Sequence, residues 1–200
     1  MAKPKIRTIV FDFGGVIAHG GYLDFLKHYC AECMTAVGQK KIGQLEHQVN
    51  LGQISETEFY HQIAEAFHVH LDPVKMHKLI VKNMRANQSL VHLIPKLQPA
   101  KIVLFSNAIG HMVTEVMRAR HLKPKELFDR VFLSNVIHMA KPDRNAYAYV
   151  VRQMKVKPAQ ALLVDDRVEN VTAARHLGLQ AIAFKTTAQF KKELQKYELV

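Results

Sequence analysis

The chain has 200 residues, 48% of them hydrophobic and 22% charged, with only two cysteines. That balance excludes a disordered chain and a disulfide-built scaffold, and the length suits one good core plus a small accessory domain. Lys and Arg outnumber Asp and Glu by 28 to 17, a formal net charge of +11 that favours anionic ligands such as phosphorylated metabolites or nucleic acid. The basic pairs Lys40-Lys41, Lys123 with Lys125, and Lys191-Lys192 are separated by long neutral stretches. No basic arm or aromatic-studded strand accompanies them, which speaks against nucleic acid. No apolar run is long enough to cross a membrane.

In chain order, Met1-Ala2-Lys3-Pro4-Lys5 leads directly into a strand rather than a signal-peptide core, so a cytoplasmic location is expected. The strand is the apolar, β-branched run within Arg7–Ile17, which reads as buried on both faces and ends on Asp12. In an open parallel sheet, ligands bind at the carboxyl ends of the strands, where Asp12 is delivered. Gly14 and Gly15 let the backbone turn sharply there.

After Gly20-Gly21 the pattern is helical to about Ala86, with no strand signal interrupting it. Tyr22, Phe25, Leu26 and Tyr29 recur at helical spacing, as do Ile42, Leu45 and Val49. Ser55 and Glu58 read as a capping box, and Asp72-Pro73 as an N-cap with proline at the first helical position. Cys30 and Cys33 fall inside this helical pattern and read as packing residues, not as a redox or zinc motif. The twelve histidines are scattered singly, apart from the loop pair His68 and His70.

From Ser89 helix and strand alternate, the mark of a doubly wound parallel α/β sheet. A helix at 89–97 should end before Pro99, a strand occupies 101–106, and a helix at 110–121 stops before Pro124. A short strand near 131–134 is followed by a helix from Pro142-Asp143, a strand at 161–165, a helix ending at Gly178 and a strand at 179–184. Residues 1–16 and 86–200 should form the core, and 17–85 an inserted helical cap.

Three more apolar runs stop at polar residues: Ser106-Asn107, Lys141-Pro142 after a short loop, and Asp165-Asp166. Each has a plain alternative when taken alone. Asp12 could be turn chemistry, Ser106-Asn107 a helix cap, and Lys141 a loop lysine before a proline. Adjacent carboxylates at the end of an apolar strand are harder to dismiss, since they repel unless a cation or lysine is near. In this order, and across essentially the whole chain, the four stretches resemble the motifs of the haloacid dehalogenase-like hydrolase superfamily, in its small helical-cap phosphatase branch. The resemblance implies a Rossmann-like core and a magnesium-dependent phosphohydrolase that acts on a small phosphorylated metabolite, sugar phosphates included, through an aspartyl-phosphate intermediate.

On that reading Asp12 is the nucleophile, and Asp12, Asp166 and the Gly14 carbonyl supply hard oxygen ligands for Mg2+. Lys141, Ser106 and Asn107 hold the phosphoryl oxygens that gain charge in transfer. Asp165 and Asn170 orient Lys141 and the metal ligands. The chain departs from the superfamily at Gly14, where phosphatases usually carry a second aspartate as general acid. Water, the substrate, His19 or a cap residue could stand in; without a stand-in, turnover should fall steeply as the leaving-group pKa rises. The alternatives are a catalytically impaired binder of phosphorylated ligands or protein, for which Gly14 is the evidence, and a metal-independent dehalogenase, against which Asp165-Asp166 argues.

Overall fold

The computed structural model describes residues 5–97 and 100–199. Met1–Pro4 and the expected stop signal Pro99 lie outside the described residues. The strands and helices run β1 (Thr8–Phe11), β2 (Ala18–His19), α1 (Tyr22–Tyr29), α2 (Ala36–Asn50), α3 (Glu56–Ala66), α4 (Pro73–Asn83), β3 (Arg85–Ala86) and α5 (Gln88–Val91). They continue as β4 (Lys101–Ser106), α6 (Met112–Ala119), α7 (Pro124–Leu127), β5 (Arg130–Leu133), α8 (Ser134–Ile137), α9 (Arg144–Gln153), β6 (Ala161–Asp165), α10 (Val168–Leu177), β7 (Gln180–Ala183) and α11 (Thr187–Gln195).

Five strands form one parallel sheet in the order β5-β4-β1-β6-β7, a doubly wound α/β fold. The apolar runs are buried on both faces because side chains alternate between two packed layers. Ile9, Phe11, Leu104 and Val164 face one layer, where Phe11 meets Phe190 of α11 edge to face at 5.6 Å. Val10, Val103, Phe105 and Leu163 face the other, against Ala146, Tyr147 and Val150 of α9. The register pairs Phe11 with both Leu104 and Val164. Asp12 and Asp165 therefore leave the sheet at one level.

Between β2 and β3 the chain is helical, and its caps follow from the sequence. Thr35, Ser55 and Asp72 accept from the Gly38, Glu58 and Lys75 amides at 3.1, 3.1 and 2.9 Å. The capping box is only half made, since the Glu58 carboxylate accepts from Gln62 instead. The expectation of no strand in this region is corrected by β2 and β3, which pair antiparallel as Ala18↔Ala86 and His19↔Arg85. Two residues per strand are too few to leave a period-two signal. The helix expected at 89–97 splits into α5 and a 3₁₀ turn at Ile94–Lys96, and α11, capped by Thr186, was not anticipated.

Cys30 and Cys33 are buried, but they are joined in a disulfide, which corrects their reading as packing residues alone. The helix stops at Cys30 and a 3₁₀ turn follows. That turn brings the two Cα atoms to 5.3 Å, within bridging distance.

Polar contacts tie the inserted helices to the core. Arg120, at the end of α6, donates to the Met84 and Lys82 carbonyls at 2.6 Å each and to Val81 at 3.2 Å, satisfying orphan carbonyls of α4. His138 contacts the Leu51 carbonyl at 2.8 Å. His77 of α4 sits between two carboxylates, with Nδ1 on Glu56 and Nε2 on Glu115 of α6 at 2.8 Å.

Only the imidazolium can donate from both nitrogens. Burial alone would lower the His77 pKa, but the hydrogen bond to Glu115 and the Glu56 charge outweigh it and hold the value above 6.5. The protonated form therefore contributes stability that is complete below 6.5 and is lost as pH rises through the raised folded value. Melting temperatures taken from roughly pH 6 to 9 should fall across this window in the native protein, and His77→Gln should remove that loss.

Candidate active site

The carboxyl ends of the central strands converge on one lysine. Lys141 Nζ lies 2.8 Å from Asp12 Oδ1 and 2.6 Å from Asp165 Oδ2, and its side chain is 1% exposed. The Asn107 side-chain amide holds the lysine from behind. It donates to the Lys141 carbonyl at 2.8 Å and accepts from the Lys141 amide at 2.9 Å. Asp165 is saturated, since Asn170 Nδ2 reaches its two oxygens at 3.0 and 3.1 Å and the Arg167 amide donates to Oδ1 at 3.0 Å. Tyr147 in turn donates to the Asn170 carbonyl at 3.1 Å. At Asp12, the Phe13 amide joins Lys141 on Oδ1 at 2.6 Å, and Oδ2 receives no hydrogen bond among the described residues.

Ser106, buried at the end of β4, donates to the Asn107 carbonyl at 2.9 Å. The loop beyond it is pinned where the Ala108 amide donates to Ser134 Oγ at 3.0 Å, a contact with no sequence signal. Asp166 stands at the exposed mouth, and oxygens of Asp12, Asp165 and Asp166 all lie within 4.8 Å of one another. Gly15 makes this approach possible. Its φ is +72°, and an added Cβ would lie 2.0 Å from Asp166 Oδ2.

Three carboxylates against one ammonium leave surplus negative charge. Burial would lower the Lys141 pKa, but the charges of Asp12 and Asp165 prevail and raise it. Burial pushes the Asp12 carboxyl up to about 7, with Lys141 opposing and Asp165 adding to the rise. Asp166 is raised too, first by its partial burial and then by Asp165. Carboxylate oxygens with excess negative charge are a donor set that fits a hard divalent cation, and Asp12 and Asp166 are the two not already saturated.

A cavity of about 310 Å³ opens above these groups. Asp12, Gly14, Ser106, Lys141 and Asp166 line its floor, and the inserted helices contribute Tyr22, Glu46 and Asn50. A hollow of about 400 Å³ at the opposite, amino ends of β4 and β5 gathers no comparable cluster. Of the residues expected at the site, Asp12, Gly14, Ser106, Lys141, Asp165, Asp166 and Asn170 come together around this floor. Asn107 joins them too, with its amide engaged by the Lys141 backbone. His19 is exposed at the rim. Tyr22, Glu46 and Arg167 were not singled out from the sequence, because nothing in α1 or α2 shows which face meets the sheet edge.

A haloacid dehalogenase-like hydrolase family profile matches residues 6–178. The chain is 26% identical to drimenol cyclase of Aspergillus calidoustus over 94% of its own length, but it spans only 36% of that protein. It is 23% identical to D-ribitol-5-phosphate phosphatase of Bacteroides thetaiotaomicron, covering 94% of this chain and 97% of the relative. A HAD family enzyme of the same bacterium, solved with magnesium and inorganic phosphate, superposes with a TM-score of 0.73 at 20% identity, over 91% of this chain and 96% of that one. At that identity the likeness is one of fold.

The two glycines of the Asp12 loop should respond differently to substitution. An added Cβ at Gly14 meets nothing within 4 Å, and its φ is not positive. Urea unfolding should place Gly14→Ala within about 0.5 kcal/mol of the native protein. Gly15→Ala should lose at least about 1–2 kcal/mol from its left-handed backbone alone.

Proposed function

The chain belongs to the haloacid dehalogenase-like hydrolases, and from that premise we propose that it is a magnesium-dependent phosphohydrolase acting on a small phosphorylated metabolite through an aspartyl-phosphate. The observation that carries this reading is Lys141 Nζ held between Asp12 and Asp165 beside the free oxygens of Asp166. An attacking carboxylate and a phosphate repel unless both are neutralised, and this floor is arranged around that problem. The ribitol-phosphate phosphatase relative, matched over nearly its whole length, supports a sugar or polyol phosphate as substrate. A net charge of +11 suits such an anion.

Asp12, Asp166 and the Gly14 carbonyl would hold the cation, which when bound would neutralise charge on the phosphoryl group. Asp12 attacks phosphorus, the bond to the leaving oxygen breaks, and water later attacks the aspartyl-phosphate to release inorganic phosphate and regenerate the carboxylate. Lys141 stays an ammonium throughout, a fixed positive charge beside Asp12 Oδ1. Ser106 and the backbone N–H groups beyond β4 hold the phosphoryl oxygens, while Asn107 and Asp165 aim Lys141. The inserted helices, residues 17–85, serve as a cap that closes over the substrate. No described helix is long and apolar enough to cross a membrane, and a cytoplasmic location is part of the proposal.

Turnover of a panel of phosphorylated metabolites, with magnesium present and then removed by chelation, tests the reading. Magnesium-dependent phosphate release should be seen, and its absence across the panel would end the phosphatase assignment; release of halide from 2-haloacids without metal would put a dehalogenase in its place. Asp12→Asn should abolish turnover while the protein still binds a phosphate mimic, because the shape remains and the nucleophile does not.

The adjacent aspartates should separate by calorimetry. Asp166→Asn should weaken magnesium binding by at least about tenfold and leave the melting temperature unchanged or higher, since it removes a repelling charge. Asp165→Asn should instead lower the melting temperature, because Lys141 keeps its buried charge and loses a partner.

A further inference from the structure

Phosphoryl transfer to Asp12 leaves an alkoxide unless a proton meets the departing oxygen, and the floor of the site has none to give. Asp165 is saturated, Lys141 is held as an ammonium by two carboxylates that raise its pKa, and Asp12 and Asp166 are occupied as nucleophile and metal ligands on the reading above. Gly14 has no side chain, and the space an added Cβ would enter is open. Among the protein's own side chains, that leaves the wall that the inserted helices build as the source of the proton.

Of the titratable groups on that wall, Asp24 is solvent-exposed beside Lys27 at 3.9 Å. His19 is exposed at the rim. Glu46 of α2 is different. It is half-buried, lines the same cavity as Asp12, and makes no ion pair or hydrogen bond among the described residues. Arg167 faces it from the loop before α10 but donates its Nε to Glu169 at 2.6 Å. Tyr22 faces it from α1, and Asp12, Lys141 and Asp166 line the same cavity. The Tyr22 phenol is itself buried, with no hydrogen-bond partner among the described residues. An acid and an unpartnered hydroxyl on one wall, above a phosphoryl-transfer floor, make a place for the leaving-group oxygen.

We propose that Glu46 is the general acid and base of this enzyme, supplied by the insertion in place of the side chain missing at Gly14, and that Tyr22 hydrogen-bonds the leaving-group oxygen. The inference rests on the phosphatase reading. As Asp12 Oδ2 bonds to phosphorus and the P–O bond to the alcohol breaks, the electron pair stays on the departing oxygen, which takes the Glu46 proton. The resulting Glu46 carboxylate then accepts a proton from the water that attacks the aspartyl-phosphate, which restores the acid as phosphate leaves. Burial raises the Glu46 pKa, with the Arg167 charge opposing, in the direction that keeps the proton available. The substrate class follows: with an acid in the cap, phosphates of ordinary alcohols such as sugars and polyols are within reach, and the steep leaving-group dependence expected from Gly14 alone is removed.

The test compares p-nitrophenyl phosphate with glycerol 3-phosphate, in magnesium and with enzyme in excess. The first-turnover release of the alcohol reports transfer without the later hydrolysis. The native protein should release both alcohols at comparable rates. Glu46→Gln should lose about 10²–10⁴-fold on glycerol 3-phosphate and far less on p-nitrophenyl phosphate, whose leaving group departs unaided. Thermal melts of the variant confirm that it is folded. Equal losses on the two substrates, no loss on either, or a selective loss in His19→Gln instead would overturn the assignment to Glu46. A native protein that transfers from p-nitrophenyl phosphate alone would overturn it too while leaving the phosphatase reading intact, and transfer from neither would remove both.

Discussion

Everything at the carboxyl edge of the sheet depends on one buried ammonium shared by two carboxylates. Taking Lys141, Asp12 and Asp165 out of water costs several kcal/mol per ion in the general case, and only close, well-satisfied geometry offsets it. The structure supplies that geometry from separate directions. Parallel register brings the two aspartates to one level, Asn107 clamps the lysine backbone on both sides, and Asn170 and the Arg167 amide complete Asp165. The network then has one oxygen to spare at Asp12 and a third carboxylate beside it. A purely structural ion pair would have no reason to leave that surplus.

Much of this was legible in the sequence, because the buried strands write it plainly. Val10, Leu104 and Val164 lie in apolar runs that can only be buried on both faces, and each run stops at the polar residue it delivers. Local chemistry was equally readable at Asp72-Pro73 and at Gly178, where a single residue determines the backbone. What stayed hidden was set by tertiary contact. Asn107 is an amide beside a serine until the fold puts the Lys141 backbone against it. The pairing of β2 with β3 is too short to have a period, and the Cys30–Cys33 bridge spans the break where α1 stops and a 3₁₀ turn follows, inside a stretch whose pattern reads as helical throughout. Glu46 is one of several polar residues on α2, and only the docking of that helix over the sheet edge singles it out.

That docking is held by polar contacts as well as apolar packing. Arg120 gathers carbonyls at the end of α4, His138 takes the one after α2, and the Glu56–His77–Glu115 chain crosses from the insertion to α6. Contacts of this kind orient without gluing, since each is exchangeable with water at modest cost. They are suited to a layer that sits accurately over the floor and, on the proposed function, also lets ligands pass.

The small β2–β3 ribbon has a consequence for the history and handling of the molecule. Because Ala18 and Ala86 are neighbours, the chain leaves the core and re-enters it at nearly the same point. In connectivity all the helices from α1 to α4 are the loop of a hairpin, and loop-closure entropy grows only slowly with loop length. Such a segment can lengthen, shorten or be replaced without disturbing the strands that deliver Asp12 and Asp165 or the loop that holds Lys141. On the proposed function, the part of the protein that would select a substrate and the part that would do the chemistry are therefore free to change at different rates.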